Sequence, residues 1–420
     1  MSLGRAVMIV ATCAVVAAGL LALVSRTPAD VRGDRPDAGA TDPSNGATFS
    51  EADVARHGHY RGPSYLGFAL RTLIGILVLV VLARGPFGRF LDKIDGWPGG
   101  WLTQVVVGSI FVAIVVTVAT LPLAFVRDFS MEKAWGLSTQ NAGGWLSDVA
   151  RSVLVGAITG AIASVAFFGL VRWLPRAWWI VGWAAFTFLT AVLVFVWPIL
   201  IAPLFNKFTP LEDRALAGRI TSVAADAGIE LDEVLVADAS RRTTAENAYV
   251  AGLGGTKRMV LYDTLLRSGG EDETMFVVAH ELGHARENHV VKGVAISSLG
   301  LFVGFALLAL LARGDSSWSW GGATGIDDVR ALPVLLLFAT LMGLLVLPAS
   351  NALSRSFEAH ADRVAIELTD DPDTAIRSFR RLAFSNLADL RPPRPLVWFL
   401  FTHPPIPDRI RTVAGFGVAP

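Results

Sequence analysis

Trp178–Leu200, WWIVGWAAFTFLTAVLVFVWPIL, is a run of 23 residues without a charge. A helix needs about 20 mostly apolar residues to cross a bilayer, and in lipid only a helix or a closed barrel satisfies its own backbone hydrogen bonds. The run is therefore read as a span, and the Pro-containing APLF that follows as its exit. Six other stretches read the same way: Ala6–Val24, about Tyr65–Ala83 (with Arg71 near its start), about Trp101–Val126, about Val153–Val171, about Val290–Leu311 and about Leu332–Ala349. Seven is the expected number of spans, with six as the alternative. The first stretch has a second reading, a signal peptide with Arg5 before it and the small-residue region Thr27-Pro28-Ala29 after it. Its apolar core is long for that, so a retained span is expected.

The composition agrees. Apolar residues make up 53 % and charged residues 17 % of the 420, against about 25 % charged in soluble domains, and the mean hydropathy is +0.52. One cysteine, Cys13, excludes a disulfide within the chain. With 36 basic and 36 acidic residues the net charge is zero, so there is no electrostatic footprint for nucleic acid.

The polar residues sort the chain into segments. Residues 1–26 are the first span; 27–64, rich in Pro, Gly and Asp, a polar linker in which SEADVARHG forms a short helix capped by Ser50. Residues 65–204 hold spans two to five and 290–352 spans six and seven. GDSSWSWGGATGIDDVR (Gly314–Arg330) reads as a polar loop whose two Trp anchor at the interface. Two soluble-like segments remain, 205–289 and 353–420. In the first, VLVAD (Val234–Asp238), AYVAGL (Ala248–Leu253) and RMVLYD (Arg258–Asp263) read as short strands. Two spans separate the soluble segments, so they lie on one side of the membrane and can share a site. Lys and Arg are spread over both sets of loops and do not fix which side; the cytoplasmic side is expected.

The sharpest chemistry lies in GGEDETMFVVAHELGHARENH (Gly269–His289). Its acidic start, Glu271-Asp272-Glu273, and the apolar residues Phe276, Val277 and Ala279 read as a helix. On it His280 and His284 are about 40° apart, so both imidazoles project from one face at a spacing that suits one Zn2+. Glu281 lies beside them, where a carboxylate can take a proton from metal-bound water. With 7 His and 12 Glu in the chain, HExxH arises by chance on the order of once in 300 such sequences. A catalytic zinc needs a third protein ligand. His289 is nine residues past His280, about 180° around a straight helix, and is expected to face away. Glu358 in SRSFEAHAD is a better partner, with Asp362 one turn on, able to accept the outer N–H of a ligating His. By spacing alone, Glu358 as a ligand and Glu358 as a solvated carboxylate are equally supported; His360 points to the opposite face. In FTHPPIPDRI, two prolines fix an extended segment after His403. His403 and Arg409 there could face an oxyanion, although an ordinary turn is the simpler reading.

Five local patterns, in order, resemble the Ste24-type CAAX prenyl proteases, integral-membrane zinc metalloproteases of the M48 family: IAPLFNKFTPL (Ile201–Leu211), ENAYVAGLGGTKRMVLYDTLL (Glu246–Leu266), HELGH (His280–His284), SRSFEAHAD (Ser354–Asp362) and FTHPP with Arg409. They cover the last half of the chain; the first half matches only in hydropathy and number of spans. The resemblance implies a mainly α, polytopic protein, about seven helices enclosing a water-filled chamber capped by a small α+β zincin-like catalytic domain. It implies Glu358 as third zinc ligand, Asp362 as the partner behind it, His403 as transition-state stabiliser, and Asn247 and Tyr249 in a strand that pairs with an extended peptide. The substrate is then a peptide or protein, lipidated or membrane-bound. The high Ala, Gly, Val and Arg content suggests a GC-rich bacterial genome, and bacteria generally lack prenylation, so prenyl peptides do not follow from the resemblance. The chain's own end, GVAP, is no CaaX box. Two other readings stand beside this one: an intramembrane site-2-type protease, whose HExxH would sit inside a span, and a non-enzymatic seven-span protein with a closed, structural zinc.

Overall fold

A computed structural model describes residues 3–27, 29–32, 49–252, 254–314, 318 and 322–416. Its membrane half is made of long helices: α1 (Leu3–Val24), α2 (Glu51–Ala83), α3 (Trp101–Ala124, continued by a π-turn at Phe125–Met131), α4 (Ala142–Trp173) and α5 (Trp178–Val196). Two more follow later, α8 (His289–Leu311) and α9 (Leu332–Thr369). Six stretches, all but α1, are long and apolar enough to cross a membrane, and Met8–Val24 is a shorter apolar helix among the described residues. That helix packs into the same core: Ala14 and Leu21 lie with Val78, Leu82, Val105, Leu123 and Phe168. A cavity of about 880 Å³ opens among α2, α3, α4 and α9, its lining mixing apolar residues with Arg71, Ser109, Asp128 and Asp148. The chain is an integral, multi-pass membrane protein, with helices around an intramembrane chamber.

Between these helices the chain builds a small α+β unit. Four strands, β1 (Phe208–Pro210), β2 (Glu233–Ala237), β3 (Ala248–Ala251) and β4 (Arg258–Tyr262), form one sheet in the order β1-β2-β4-β3. β2 runs parallel to β4, with Glu233 opposite Arg258, and the two outer pairs are antiparallel. Three strands match the sequence reading; β1 was not foreseen, its three residues being too few for an alternating pattern. Helices α6 (Arg214–Asp226) and α7 (Glu271–Arg286) cover the sheet, burying Ile220, Met259, Leu261, Val278 and Leu282. A second cluster, Phe276, Ala279, Ala365, Phe379 and Ile410, lies on the opposite side of α7. It joins α7 to α9, to α10 (Pro372–Ser385) and to α12 (Ile406–Phe416), with α11 (Arg394–Leu400) packed along α9. The helix that carries HELGH is therefore apolar on two faces rather than along one stripe.

Three sequence readings change. Ser50 caps a helix as expected, with a reciprocal capping box to Asp53, but that helix is α2 itself, which continues for 33 residues. The polar residues at its start are not a solvated linker. Arg61 donates to the carbonyls of Asn386 and Leu387 at 2.9 and 2.6 Å, Tyr65 donates to Asp389 at 2.6 Å, and His57 Nδ1 lies 2.6 Å from the Ala388 carbonyl. Residues 33–48 of the expected linker, like Pro28, lie outside the described residues. Trp318 is buried at 4 % exposure in the membrane core instead of anchoring at an interface; Trp320 lies outside the described residues. The seventh span does not stop near Ala349. With no glycine between Gly343 and its end at Thr369, α9 continues past Pro348 through Glu358 and Asp362.

The contact between α7 and α9 explains the glycine of HELGH. A Cβ on Gly283 would stand 3.0 Å from both Cα and O of Ala361 and 3.2 Å from Cβ of Val364, so the helices close to backbone contact there. Gly283→Ala is expected to destabilise the chain by about 1–3 kcal/mol. Thermal unfolding in detergent checks this, and a wild-type midpoint would show that the two helices do not need to be so close.

Candidate metal centre and active site

His280, Glu281 and His284 stand on α7, which stays helical up to Arg286 because its last turns are buried between two apolar clusters. Glu358 and Asp362 stand on α9, where a helix packed against α7 turns them toward the two histidines. His280, His284 and Glu358 each offer one ligand atom, and these atoms lie within 4.8 Å of one another. The separations are close to equal: His280 Nε2 to His284 Nε2 is 3.2 Å, His280 Nε2 to Glu358 Oε2 is 3.3 Å, and His284 Nε2 to Glu358 Oε1 is 3.3 Å. Donors about 2.0–2.1 Å from one zinc in a tetrahedron stand about 3.3 Å apart, so the triangle fits that ion. A second observation points the same way. Glu358 Oε2 is buried without a hydrogen-bond partner, a costly arrangement for a carboxylate that a cation relieves.

The outer nitrogens of both histidines are engaged. His280 Nδ1 lies 2.9 Å from Asp362 Oδ1. Arg409, on α12, donates to the same carboxylate, with Nε 2.8 Å from Asp362 Oδ2, and its guanidinium stacks 4.2 Å over the Phe379 ring. Arg409 is only 8 % exposed, so the structure gives it a post behind His280 rather than at the open face where an oxyanion would form. His284 Nδ1 lies 3.0 Å from His289 Nδ1. This overturns the expectation that His289 faces away. Asn288 adopts φ 54°, which breaks the helix and folds His289 back, stacked on Phe357 at 4.3 Å. The straight-helix projection failed at that one residue; Asn is a residue that tolerates the left-handed region, and that was the available signal. His289 remains outside the ligand triangle. His360, exposed and bonded back to the Ser356 carbonyl, also stays outside it.

His403 reaches the open side of the triangle, with Nε2 3.2 Å from Glu358 Oε1. Its Nδ1 lies 2.8 Å from the Thr402 hydroxyl; a hydroxyl donating there leaves Nε2 as the N–H that faces the centre. Crowding by the protein around its ring moves His403 below its ordinary pKa, with Glu358 opposing the shift, although 57 % of the side chain stays exposed. Burial raises the Glu281 carboxyl above its ordinary value, only partly offset by His280 and His284, although the side chain keeps some surface toward the cleft. For His280 burial acts to lower the pKa, but hydrogen bonds to Asp362 and Glu358 outweigh it and lift the value to about 9.

Asn247 and Tyr249 are separate from this triangle. They lie at the start and within β3, which has β4 on one side only and is thus an open edge; the strand packs against α7. Asn247 is exposed and Tyr249 half-buried. Glu246, just before them, is locked by Asn386, which accepts from its N–H at 3.1 Å and donates to its carbonyl at 3.2 Å.

The Asp362–Arg409 pair is buried and each partner satisfies the other. Asp362→Ala leaves the guanidinium without its counter-charge and is expected to cost about 3–5 kcal/mol. Denaturant unfolding tests this; a loss under about 1 kcal/mol would mean water reaches Arg409.

Comparison with known proteins agrees with this geometry. The profile of peptidase family M48 matches residues 210–416, and that of the CAAX prenyl protease N-terminal region, five membrane helices, matches residues 60–207. An uncharacterised metalloprotease, YhfN, of Bacillus subtilis is 33 % identical over 390 residues, covering 92 % of this chain and 90 % of that protein. CAAX prenyl protease 1 of Saccharomyces cerevisiae is 32 % identical over 314 residues, covering 70 % and 68 %. The crystal structure of S. mikatae Ste24p shares the fold, with a TM-score of 0.78 over 97 % of this chain and 99 % of that one at 22 % identity. HELGH lies on a helix that is not among the six spans, unlike the site expected of an intramembrane protease. The chain belongs to peptidase family M48 and is a metalloendopeptidase held in a membrane by several spans.

Proposed function

We propose that His280, His284 and Glu358 hold one Zn2+ and that the chain hydrolyses peptide bonds in a peptide or protein presented at the membrane, lipid-modified or membrane-bound. The observation that carries this reading is the convergence of four donor atoms: His280 Nε2 and His284 Nε2 stand 3.2 Å apart, Glu358 turns one oxygen to each of them at 3.3 Å, and its buried Oε2 accepts no well-directed hydrogen bond. The zinc would serve as a Lewis acid, lowering the pKa of a water it holds to about 7. Glu281 accepts the proton of the attacking water and later delivers it to the leaving amine; burial has raised its basicity toward that task. His403 donates Nε2–H to the scissile carbonyl oxygen as charge develops there. Asp362 accepts the outer N–H of His280 and fixes its tautomer, Arg409 holds Asp362, and His289 accepts from His284. The open edge of β3, with Asn247 and Tyr249, pairs with the substrate backbone.

In this reading residues 205–289 and 353–420 form the catalytic portion between the membrane regions 51–204 and 290–352, with 1–26 as the first span and 27–50 as its connection. The membrane is the bacterial cell membrane and the catalytic side cytoplasmic, which reporter fusions at the two ends of α8 test.

Glu281→Gln is expected to retain zinc and to lose cleavage by more than about 10³-fold; near-wild-type turnover on any peptide would remove Glu281 from this role. Glu358→Ala should drop the zinc content below one per chain, and unchanged stoichiometry would exclude it as a ligand. Comparing membrane peptides from cells carrying Glu281→Gln with wild type identifies the substrate. The pH dependence has a definite sign. Below about 9 a proton on His280 competes with the metal, so apparent zinc affinity should rise about tenfold per pH unit from 6 to 8. Chelator competition measures this, and a flat profile would contradict the protonated, metal-free His280.

A further inference from the structure

His403 stands on a segment with little support of its own. Among the described residues, the backbones of Thr402, His403 and Pro404 take part in no hydrogen bond, and Pro404 and Pro405 have no N–H to give. What holds this segment comes from α9. Asn351, 3 % exposed, donates to the Phe399 carbonyl at 2.6 Å. Arg355 directs one guanidinium nitrogen at two carbonyls, Val397 at 3.0 Å and Phe401 at 2.7 Å. On the far side of His403, Arg409 is tied to Asp362. Asn351, Arg355, Glu358 and Asp362 succeed one another at steps of four, three and four, so they share one strip of α9 within about 60° of arc. That strip grips the His403 segment at both ends and places Glu358 between the two grips.

We propose that Asn351 and Arg355 are positioning residues that fix His403 against the metal centre, so that one face of one helix sets both the carboxylate and the oxyanion donor. The proposal rests on the role given above to His403. Physically, the two side chains replace the backbone bonds that the prolines forbid. They satisfy the carbonyls of Phe399, in the last turn of α11, and of Phe401, just after it, and add a second donor to Val397, which already accepts the Phe401 N–H at 3.3 Å. One guanidinium nitrogen of Arg355, held on a planar and rigid group, serves both carbonyls at once and so ties Val397 to Phe401. A misplacement of about 1 Å in a transition-state donor can cost about 100-fold in rate.

The test is a double-mutant cycle on the full-length protein in detergent, with an internally quenched, farnesylated CaaX peptide as probe, combined with hydrogen exchange. His403→Ala should lower kcat about 100-fold. Arg355→Met should lower kcat about 10- to 100-fold, with zinc content unchanged, and Arg355→Lys should recover part of the loss. Adding Arg355→Met to His403→Ala should cost less than about twofold more, since the two act as one unit. Arg355→Met and Asn351→Leu should speed exchange at the amides of residues 399, 400 and 401 while leaving 276–284 unaltered. Full additivity with His403→Ala, a wild-type kcat in Arg355→Met, or unaltered exchange at 399–401 would each overturn the proposal. If His403→Ala alone keeps its kcat, the role of His403 fails instead, and the exchange data still decide whether Arg355 holds the segment.

Discussion

Two helices meet at backbone contact where Gly283 faces Ala361, and the rest of the site follows from that approach. α7 carries the two imidazoles and Glu281, whereas α9 carries Glu358 and Asp362. Neither helix has a complete ligand set. A carboxylate has a short reach, so Glu358 can stand 3.3 Å from both Nε2 atoms only if the helix axes are close. Dispersion and apolar burial supply the force: Phe276, Ala279, Ala365, Phe379 and Ile410 fill the space beside the crossing. The polar centre thus rests on an apolar one.

The same approach arranges the charges. Three carboxylates, four histidines and one arginine crowd around the crossing, which would be costly if any stood alone. Most are paired. Asp362 is shared between His280 and Arg409, and His284 meets His289. The exception is the unpartnered Glu358 oxygen inside the triangle. The leftover group sits where a divalent cation resolves it, which ties packing to metal chemistry. The surroundings also push the Glu281 carboxyl up and the His403 imidazole down. The shift gives Glu281 more basicity for its proposed role and favours the neutral, donating form of His403.

The membrane half is joined to this centre by the chain itself. α9 passes without a break from the wall of the 880 Å³ cavity to Glu358 and Asp362. The start of α2 bonds to the turn at 386–389, and Asn386 in that turn locks Glu246 beside β3. Span, catalytic helix and open strand edge form one connected frame. That is why polar residues read as a linker, His57 and Arg61 among them, turn out to be fastened to the C-terminal portion.

The sequence by itself determined the elements whose signal is local. Apolar runs of bilayer length report their own spans, because the backbone must be satisfied within each segment. HELGH reports a metal pair, because four residues make nearly one helical turn. Glu358 was legible only as one of two equal readings from its spacing, and as a ligand through resemblance. What the tertiary structure decided is everything that depends on two segments meeting. It set the length of α9, the fold-back of His289 at Asn288, the burial of Trp318 and the grip of Asn351 and Arg355 on the His403 segment. It also moved Arg409 from the open face to Asp362. A side chain's partner lies as far as 340 residues away in the chain, and spacing carries no information about such contacts; only packing brings them together.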